Sequence, residues 1–199
     1  MAPIACHTRY DWQPAVASDI IGVLSSHPTL DNSMLNTPSA SEFSNAIHSQ
    51  FTKLTGLANM PPVYRQIGNS HSALSTYLAM EQCLVDSKIS DFDIEVIKLA
   101  RSAENQCEFC IGNHRRKGKT AGLSDDDIER LATGLAPEDP RALSIYQLLA
   151  QLLAGGDLPE WAERTLEDLG YDDGMRVELA LAVATISFTN WFNHINHTR

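Results

Sequence analysis

The stretch Asn105-Gln-Cys-Glu-Phe-Cys-Ile-Gly-Asn-His114 brings two thiols and an imidazole together at helical spacing. Cys107, Cys110 and His114 stand at i, i+3 and i+7, so on a helix turning roughly 100° per residue they share a face. A thiol reacts as its thiolate, and unpaired N–H groups at a helix start can lower its pKa from about 8.5 to as little as about 3.5. If the helix begins at the pair, Cys107 gains most from this. Cys110, four residues before His114, is instead the thiol whose proton the imidazole can take. The two arguments nominate different nucleophiles. They are compatible if one cysteine is oxidised to a sulfenic acid and the other condenses with it to a disulfide.

An imidazole acting as a base needs an orienting group, usually a carboxylate. Glu104 and Glu108 are near in sequence, but Glu108 points away from the cysteine face and Glu104 precedes a helix break suspected at Asn105-Gln106. Glu95 lies one helix back among Ile94, Val96 and Ile97, as either a solvated edge or a buried acid. A binding reading competes for the same residues: Cys107, Cys110 and His114 as zinc ligands, completed by His71, His194 or His197. A third makes the pair a remnant in a helical oligomerisation scaffold. His194 and His197 themselves read as polar residues near a helix C-terminus, satisfied locally or at a subunit contact. Cys83 reads as a small buried hydrophobe, and the adjacent Cys6 and His7 as an isolated pair in a tail.

The elements that must position these groups are helices. Phe43, Ile47, Phe51 and Leu54 recur at helical spacing up to a stop at Gly56; Pro61-Pro62 opens a short segment to Ile67; His71 to Val85 carries a broad apolar stripe. Ser90 with Asp93 resembles a capping box and starts a helix to about Glu104, with Ile94, Ile97, Leu99 and Ala100 inward. Further helices are expected at 107–121 (stopped by Gly122), from Ser124 to Gly134, from Asp139-Pro140 to Gly155-Gly156, and over Pro159–Leu169 with Gly170 as cap. The last, about Asp173 to His197, is apolar nearly all round between Val177 and Phe188, so it should be central to the core or lie between subunits. Trp161, Trp191 and Phe192 are read as core or interface. No segment alternates with period two for long, which predicts an all-α fold of seven to nine helices. Asp93–Ala100 faintly echoes Met175–Ala182, a hint of a duplicated helical unit. Residues 1–41, rich in Pro, Ser, Asn and Thr with one apolar patch at Asp19–Leu24, read as a loosely ordered arm before a single domain at 42–199.

The chain has 199 residues, 43% of them hydrophobic, enough for one domain with a real core. Its formal charge of -10 argues against nucleic acid or an anionic membrane as partner. The densest basic run, Arg115, Arg116, Lys117 and Lys119, is read as dipole-complementing residues near a helix C-terminus. No apolar run reaches the roughly 18 residues of a membrane helix, and the first twenty residues lack a signal-peptide pattern. These observations lead to the expectation of a cytoplasmic chain in which a C-x-x-C means redox or metal chemistry.

Glu95, then Cys107-x-x-Cys110-x-x-x-His114, then Gly122-Leu-Ser-Asp-Asp-Asp-Ile128 resembles the signature of the alkyl hydroperoxidase D and carboxymuconolactone decarboxylase family. The likeness runs over about residues 60 to 197, including Thr189-Asn-Trp-Phe-Asn-His194. It implies a compact helical subunit in a homo-oligomer, commonly a trimer or hexamer, with a buried thiol site fed by a proton relay and no cofactor. In the peroxidase members the second cysteine attacks the peroxide. Cys110 would then be peroxidatic and Cys107 resolving, with His114 as the base and Glu95 assisting. The substrate would be a small organic hydroperoxide and the reductant an external dithiol such as a lipoyl or thioredoxin-like protein. Phe109 departs from the histidine that well-characterised peroxidase members carry between the cysteines, while the pair itself argues against lactone decarboxylation, whose branch lacks it.

Overall fold

Residues 35–198 are described by the structure, a computed structural model. Cys6, His7 and the Asp19–Leu24 patch lie outside the described residues. The end of the expected arm is tied down. The Leu35 amide donates to Asn196 Oδ1 (3.0 Å), Gln66 Nε2 to Thr37 Oγ1 (2.9 Å), Arg65 Nη1 to the Pro38 carbonyl (3.0 Å) and Asn69 Nδ2 to that of Asn36 (2.7 Å).

Among the described residues, nine α-helices follow a short 3-10 turn: α1 Asn45–Thr55, α2 Pro62–Ile67, α3 His71–Val85, α4 Asp91–Glu104, α5 Glu108–Ala121, α6 Asp125–Ala132, α7 Pro140–Ala154, α8 Glu160–Asp168 and α9 Asp173–Ile195. Among the described residues there is no strand, and the fold is all-α as expected. The boundaries fall where local chemistry puts them. Ser44, Ser70, Ser90, Ser124, Asp139 and Asp172 each accept an N–H of the first helical turn. Gly56 and Gly122 end α1 and α5 in the left-handed region, at φ 70° and 99°.

The central element is α4, surrounded by α5, α6, α7 and α9. Every residue from Asp93 to Ala100 is buried, and Val96, Ile97 and Leu99 are completely so. A smaller core of Phe43, Ile47, Phe51, Leu74 and Leu78 joins α1 and α3, with Tyr64, Phe188 and Phe192 against it. The two echoing segments lie in α4 and α9, which pack together.

Two expectations are corrected, for Cys83 and for the capping box, and the one for Trp161 and Trp191, core or interface, loses its core alternative. Cys83 is exposed on α3, because it falls outside the stripe that α3 turns inward through Leu74, Tyr77, Leu78 and Leu84. Trp161 and Trp191 are 42% and 57% exposed, outside the core of this chain, whereas Phe192 does pack into it. The capping box on α4 is only half made. Ser90 Oγ accepts the Asp93 amide at 3.2 Å, but the Asp93 carboxylate turns away to receive Arg141 Nε and Nη2 (2.7 and 2.6 Å) and Tyr171 Oη (2.9 Å).

This carboxylate is fully buried and ties α4 to α7 and to the turn before α9. Arg141 raises no solvation problem, being partly exposed. Burial, then the neighbouring charge of Asp93, holds the Tyr171 phenol far above its ordinary range, so it serves as a permanent donor. Asp93→Ala is therefore expected to cost about 2–3 kcal/mol by leaving two donors without their shared acceptor. Ser90→Ala, which removes only a cap, should cost about 1 kcal/mol. Urea denaturation of both variants checks this, and equal costs would mean that Asp93 acts only as a cap residue.

Candidate active site

Helix α4 ends in a turn that also begins α5. The Gln106 amide donates to the Ala103 carbonyl and that of Cys107 to Ser102, each at 3.0 Å, a Schellman closure with Gln106 at φ 55°. Cys107 is at once the residue that completes this closure and the N-cap of α5. The linker is therefore too short to let the helices slide, and the break expected at Asn105-Gln106 sets the angle at which α4 faces α5. His194 Nε2, on α9, reaches the Asn105 carbonyl at 2.7 Å and caps the same end of α4.

Cys107 and Cys110 are both buried, and their sulfurs are paired as a disulfide across a Cα–Cα distance of 5.3 Å. Cys110 is the third residue of α5, within the first turn, where free N–H groups and the helix dipole favour a thiolate. Cys107 sits one step outside that turn. The helix-start argument made for Cys107 thus applies at least as well to Cys110.

His114 lies one turn beyond Cys110, is 6% exposed, and is held through Nδ1 by Glu95 Oε2 at 2.7 Å. A carboxylate only accepts, so Nδ1 carries the proton and Nε2 keeps a free lone pair. The contact has the geometry of an ion pair, yet burial pushes the imidazole below its ordinary value of 6.5. The Glu95 hydrogen bond and charge oppose this, whereas Lys98 and Lys117 reinforce it. His114 is accordingly neutral at pH 7, and the contact is a hydrogen bond from a neutral ring to a carboxylate. Of the three candidate carboxylates the structure brings only Glu95 to the histidine. Glu104 pairs with Arg101 at 2.6 Å near the surface, and Glu108 is exposed.

Sequence reasoning missed two features. Asn193, buried on α9, donates from Nδ2 to Cys110 Sγ at 3.2 Å, while its Oδ1 has no partner among the described residues. The available signal was a set of polar residues, Ser187, Asn190 and Asn193, spaced three apart in a largely apolar helix. The second is Lys98, 3% exposed, whose Nζ meets both oxygens of Glu81 at 3.1 and 2.9 Å; Tyr77 Oη donates to the same carboxylate at 3.2 Å. Burial raises Glu81, but the charge and hydrogen bond of Lys98, aided by Lys117 and His114, more than offset it, and Glu81 stays ionised. Burial, then Glu81, raises Tyr77 well above its ordinary value.

These groups wall a cavity of about 490 Å³. Cys110, His114 and Asn193 line it together with an apolar, partly aromatic group, Leu54, Pro61, Val63, Tyr64, Ile67 and Phe109, and with the polar Glu81, Asn113 and Lys117. Phe109, where a histidine was noted as absent, is half-exposed on this wall. The set assembled for zinc does not form. His71 stacks on Phe43 with ring centroids 5.3 Å apart, His194 is turned to Asn105, and no three His, Cys, Asp or Glu side chains gather to hold a metal among the described residues. In the basic run, Arg115 pairs with Glu129 and Lys119 with Asp125, each at 2.8 Å near the surface.

Residues 72–151, which include Glu95, Cys107, Cys110 and His114, match the model of the carboxymuconolactone decarboxylase family. No curated protein matches the chain by sequence. Among solved structures, the fold is similar to that of an uncharacterized peroxidase-related protein with an alkylhydroperoxidase AhpD core from Ralstonia eutropha JMP134. That match has a TM-score of 0.70 and 18% identity, over 87% of this chain and 93% of that one. A second uncharacterized peroxidase-related protein, from Silicibacter sp. TM1040, gives 0.64 at 19% identity over 85% and 90% of the two chains. The debrominase Bmp8 without ligand gives 0.63 at 12%, over 87% and 93%. At these identities the likeness is one of fold.

The electrostatics of His114 can be tested directly. Its folded-state pKa lies below its unfolded value, so the native chain binds fewer protons between the two. The stability due to this group is complete above about pH 6.5 and falls as pH drops through that window. NMR titration of the ring should give a midpoint below 6.5, and Glu95→Gln should lower it further, since the Glu95 charge raises it. A midpoint above 6.5 in the parent chain would contradict a neutral, hydrogen-bonded ring.

Proposed function

From the match of residues 72–151 to the carboxymuconolactone decarboxylase family model, we propose that the chain is a thiol-dependent peroxidase and disulfide reductase acting on small organic hydroperoxides. The observation that carries the reading is the Cys107–Cys110 pair at bonding distance, buried beside a neutral His114 that Glu95 orients, at the wall of an apolar cavity. A buried thiol pair in this fold supports a broad oxidoreductase class. The peroxide, the reductant and the residue roles are the content of the proposal.

In the reduced chain, His114 Nε2 takes the Cys110 proton, and the α5 N-terminus and Asn193 Nδ2 stabilise the thiolate. The thiolate attacks the outer oxygen of ROOH and the O–O bond breaks. Cys110 becomes a sulfenic acid, and the departing alkoxide takes the proton from His114 as ROH. Cys107 then attacks Cys110 Sγ, water leaves, and the disulfide closes. An external dithiol returns two electrons and two protons. Glu95 also borders a second cavity of about 380 Å³ shared with Glu81 and Lys98, which would let the relay exchange protons away from the substrate. The lining residues Tyr64, Ile67 and Phe109 suit an alkyl or aryl R group in preference to hydrogen peroxide.

Cys110→Ser should abolish consumption of cumene hydroperoxide in the presence of dithiothreitol, a loss of at least about 10³-fold, since Cys110 is the one thiol among the residues that line the cavity. His114→Ala should lower the rate by about 10²-fold. Full activity in Cys110→Ser sinks the proposal. Thiol counting and peptide mass spectrometry after one equivalent of peroxide should show a Cys107–Cys110 disulfide in the parent chain.

The homo-oligomer expected from the family has a physical counterpart on α9. Val177, Ala184, Trp191 and Ile195 form an apolar face that is exposed in the single chain, with Val177 at 71% and Ile195 at 68%. We read it as a contact between copies. Analytical ultracentrifugation should show an oligomer that Trp191→Asp dissociates, and a parent chain that sediments as a monomer would remove this reading.

A further inference from the structure

Two different cavities end on the thiol pair. The apolar one of about 490 Å³ touches Cys110 and not Cys107. A second of about 340 Å³ touches Cys107 and not Cys110, and its other walls are polar: Gln106, Glu108, His194, His197 and Thr198. Asn193 is the one residue common to both linings. Each cysteine therefore lines its own cavity, and the two cavities differ in the residues around them. Peroxide reduction as described above uses only the first. The second has no role in it.

The identity of the leaving sulfur decides what the second cavity can do. When a thiolate attacks a disulfide, the sulfur that departs more readily is the one that better carries negative charge. Cys110 is that sulfur: it lies inside the first turn of α5, accepts a hydrogen bond from Asn193 Nδ2 and is followed one turn later by His114. Cys107, at the N-cap without a side-chain hydrogen bond to the helix, is the electrophile. The reductant must then approach Cys107 Sγ, and the polar cavity is the one that borders this residue.

Resting on the thiol-redox reading, we propose that the polar cavity formed by Gln106, His194, His197 and Thr198 is the docking site of the reductant, a small polar dithiol group that attacks Cys107. One thiolate of the donor attacks Cys107 Sγ, the Cys107–Cys110 bond breaks, and a donor–Cys107 mixed disulfide forms. Cys110 leaves with the electron pair and is protonated through His114. The second donor thiol attacks the donor's own sulfur, its disulfide closes, and Cys107 is released and takes up a proton. Two electrons and two protons have passed from the dithiol to the pair. Asn193, which lines both cavities, has an Oδ1 that is buried and without a partner among the described residues. Oxidant and reductant thus reach the pair by separate routes, and an apolar hydroperoxide does not compete with a polar dithiol for one pocket.

The disulfide is made with diamide, so that this test does not depend on peroxide. Excess 2-mercaptoethanol followed at once by N-ethylmaleimide and peptide mass spectrometry should place the mercaptoethanol on Cys107 and the maleimide on Cys110. The opposite labelling overturns the proposal, and this arm needs no variant. In a second arm, His197→Trp fills the polar cavity and Val63→Trp the apolar one. The ratio of the rate of disulfide reduction by dithiothreitol to that of thiol oxidation by cumene hydroperoxide is compared between them. It should fall by about tenfold in His197→Trp and rise by a similar factor in Val63→Trp. A ratio that moves the same way in both, or in neither, overturns the two-route assignment. If cumene hydroperoxide fails to oxidise the parent chain at all, the peroxidase reading falls, while the labelling of the diamide-made disulfide still decides which sulfur and which cavity the reductant uses.

Discussion

Helix α4 is packed on by its neighbours and yet carries four polar side chains, Asp93, Glu95, Lys98 and Ser102, that are buried. A buried donor, acceptor or charge without a partner costs about 1–3 kcal/mol or more, so each must be met by a group from another element. The fold supplies one partner per neighbour. Asp93 is met by Arg141 of α7 and by Tyr171, Glu95 by His114 of α5, Lys98 by Glu81 of α3, and Ser102 by Asn190 of α9. Hydrophobic burial alone would allow α4 to rotate or slip against its neighbours. Four directional contacts at different heights and azimuths do not, and they fix the register of the bundle.

The thiol site is one consequence of that register. Glu95 and Lys98 stand one turn apart on α4, so the helix offers an acid to α5 and a base to α3 at adjacent positions along the same cavity. Because Lys98 is already neutralised by Glu81, it can help keep His114 unprotonated without drawing Glu95 away from the imidazole. The Schellman turn at Asn105-Gln106 then places the start of α5 where both cysteines lie close to the C-terminal end of α4. The histidine's tautomer, the cysteines' helix-end position and the Asn193 contact are therefore settled by elements that also hold the core together. Substitution at any of them should disturb both packing and chemistry.

Asn193 shows how little it takes to divide the site. It is a single amide on α9, yet it borders both cavities, donates to Cys110 and leaves an oxygen unpaired. Buried orphan acceptors are uncommon in folded chains. The contrast between an apolar wall at Cys110 and a polar one at Cys107 follows from which helices contribute: α1, α2 and α3 on one side, the α4–α5 turn and the end of α9 on the other.

The sequence by itself determined the all-α class, nearly every helix boundary, and the grouping of Cys107, Cys110 and His114 on one helix, because caps, stops and the 3.6-residue period are encoded within a few neighbouring positions. Glu95 was legible as an anomaly, an acid in an apolar window, but not as the histidine's partner until family likeness singled it out. Asp93 looked like a cap residue and Cys83 like a core residue, since each was judged from local pattern alone. Only the tertiary structure decided that Asp93 is a cross-link between helices, that Lys98 is buried on Glu81, that Asn193 reaches Cys110 and that each sulfur borders a different cavity. The reason is physical. These are contacts between residues 17 to 83 positions apart, set by how helices pack around one another, and no local period or cap carries that information.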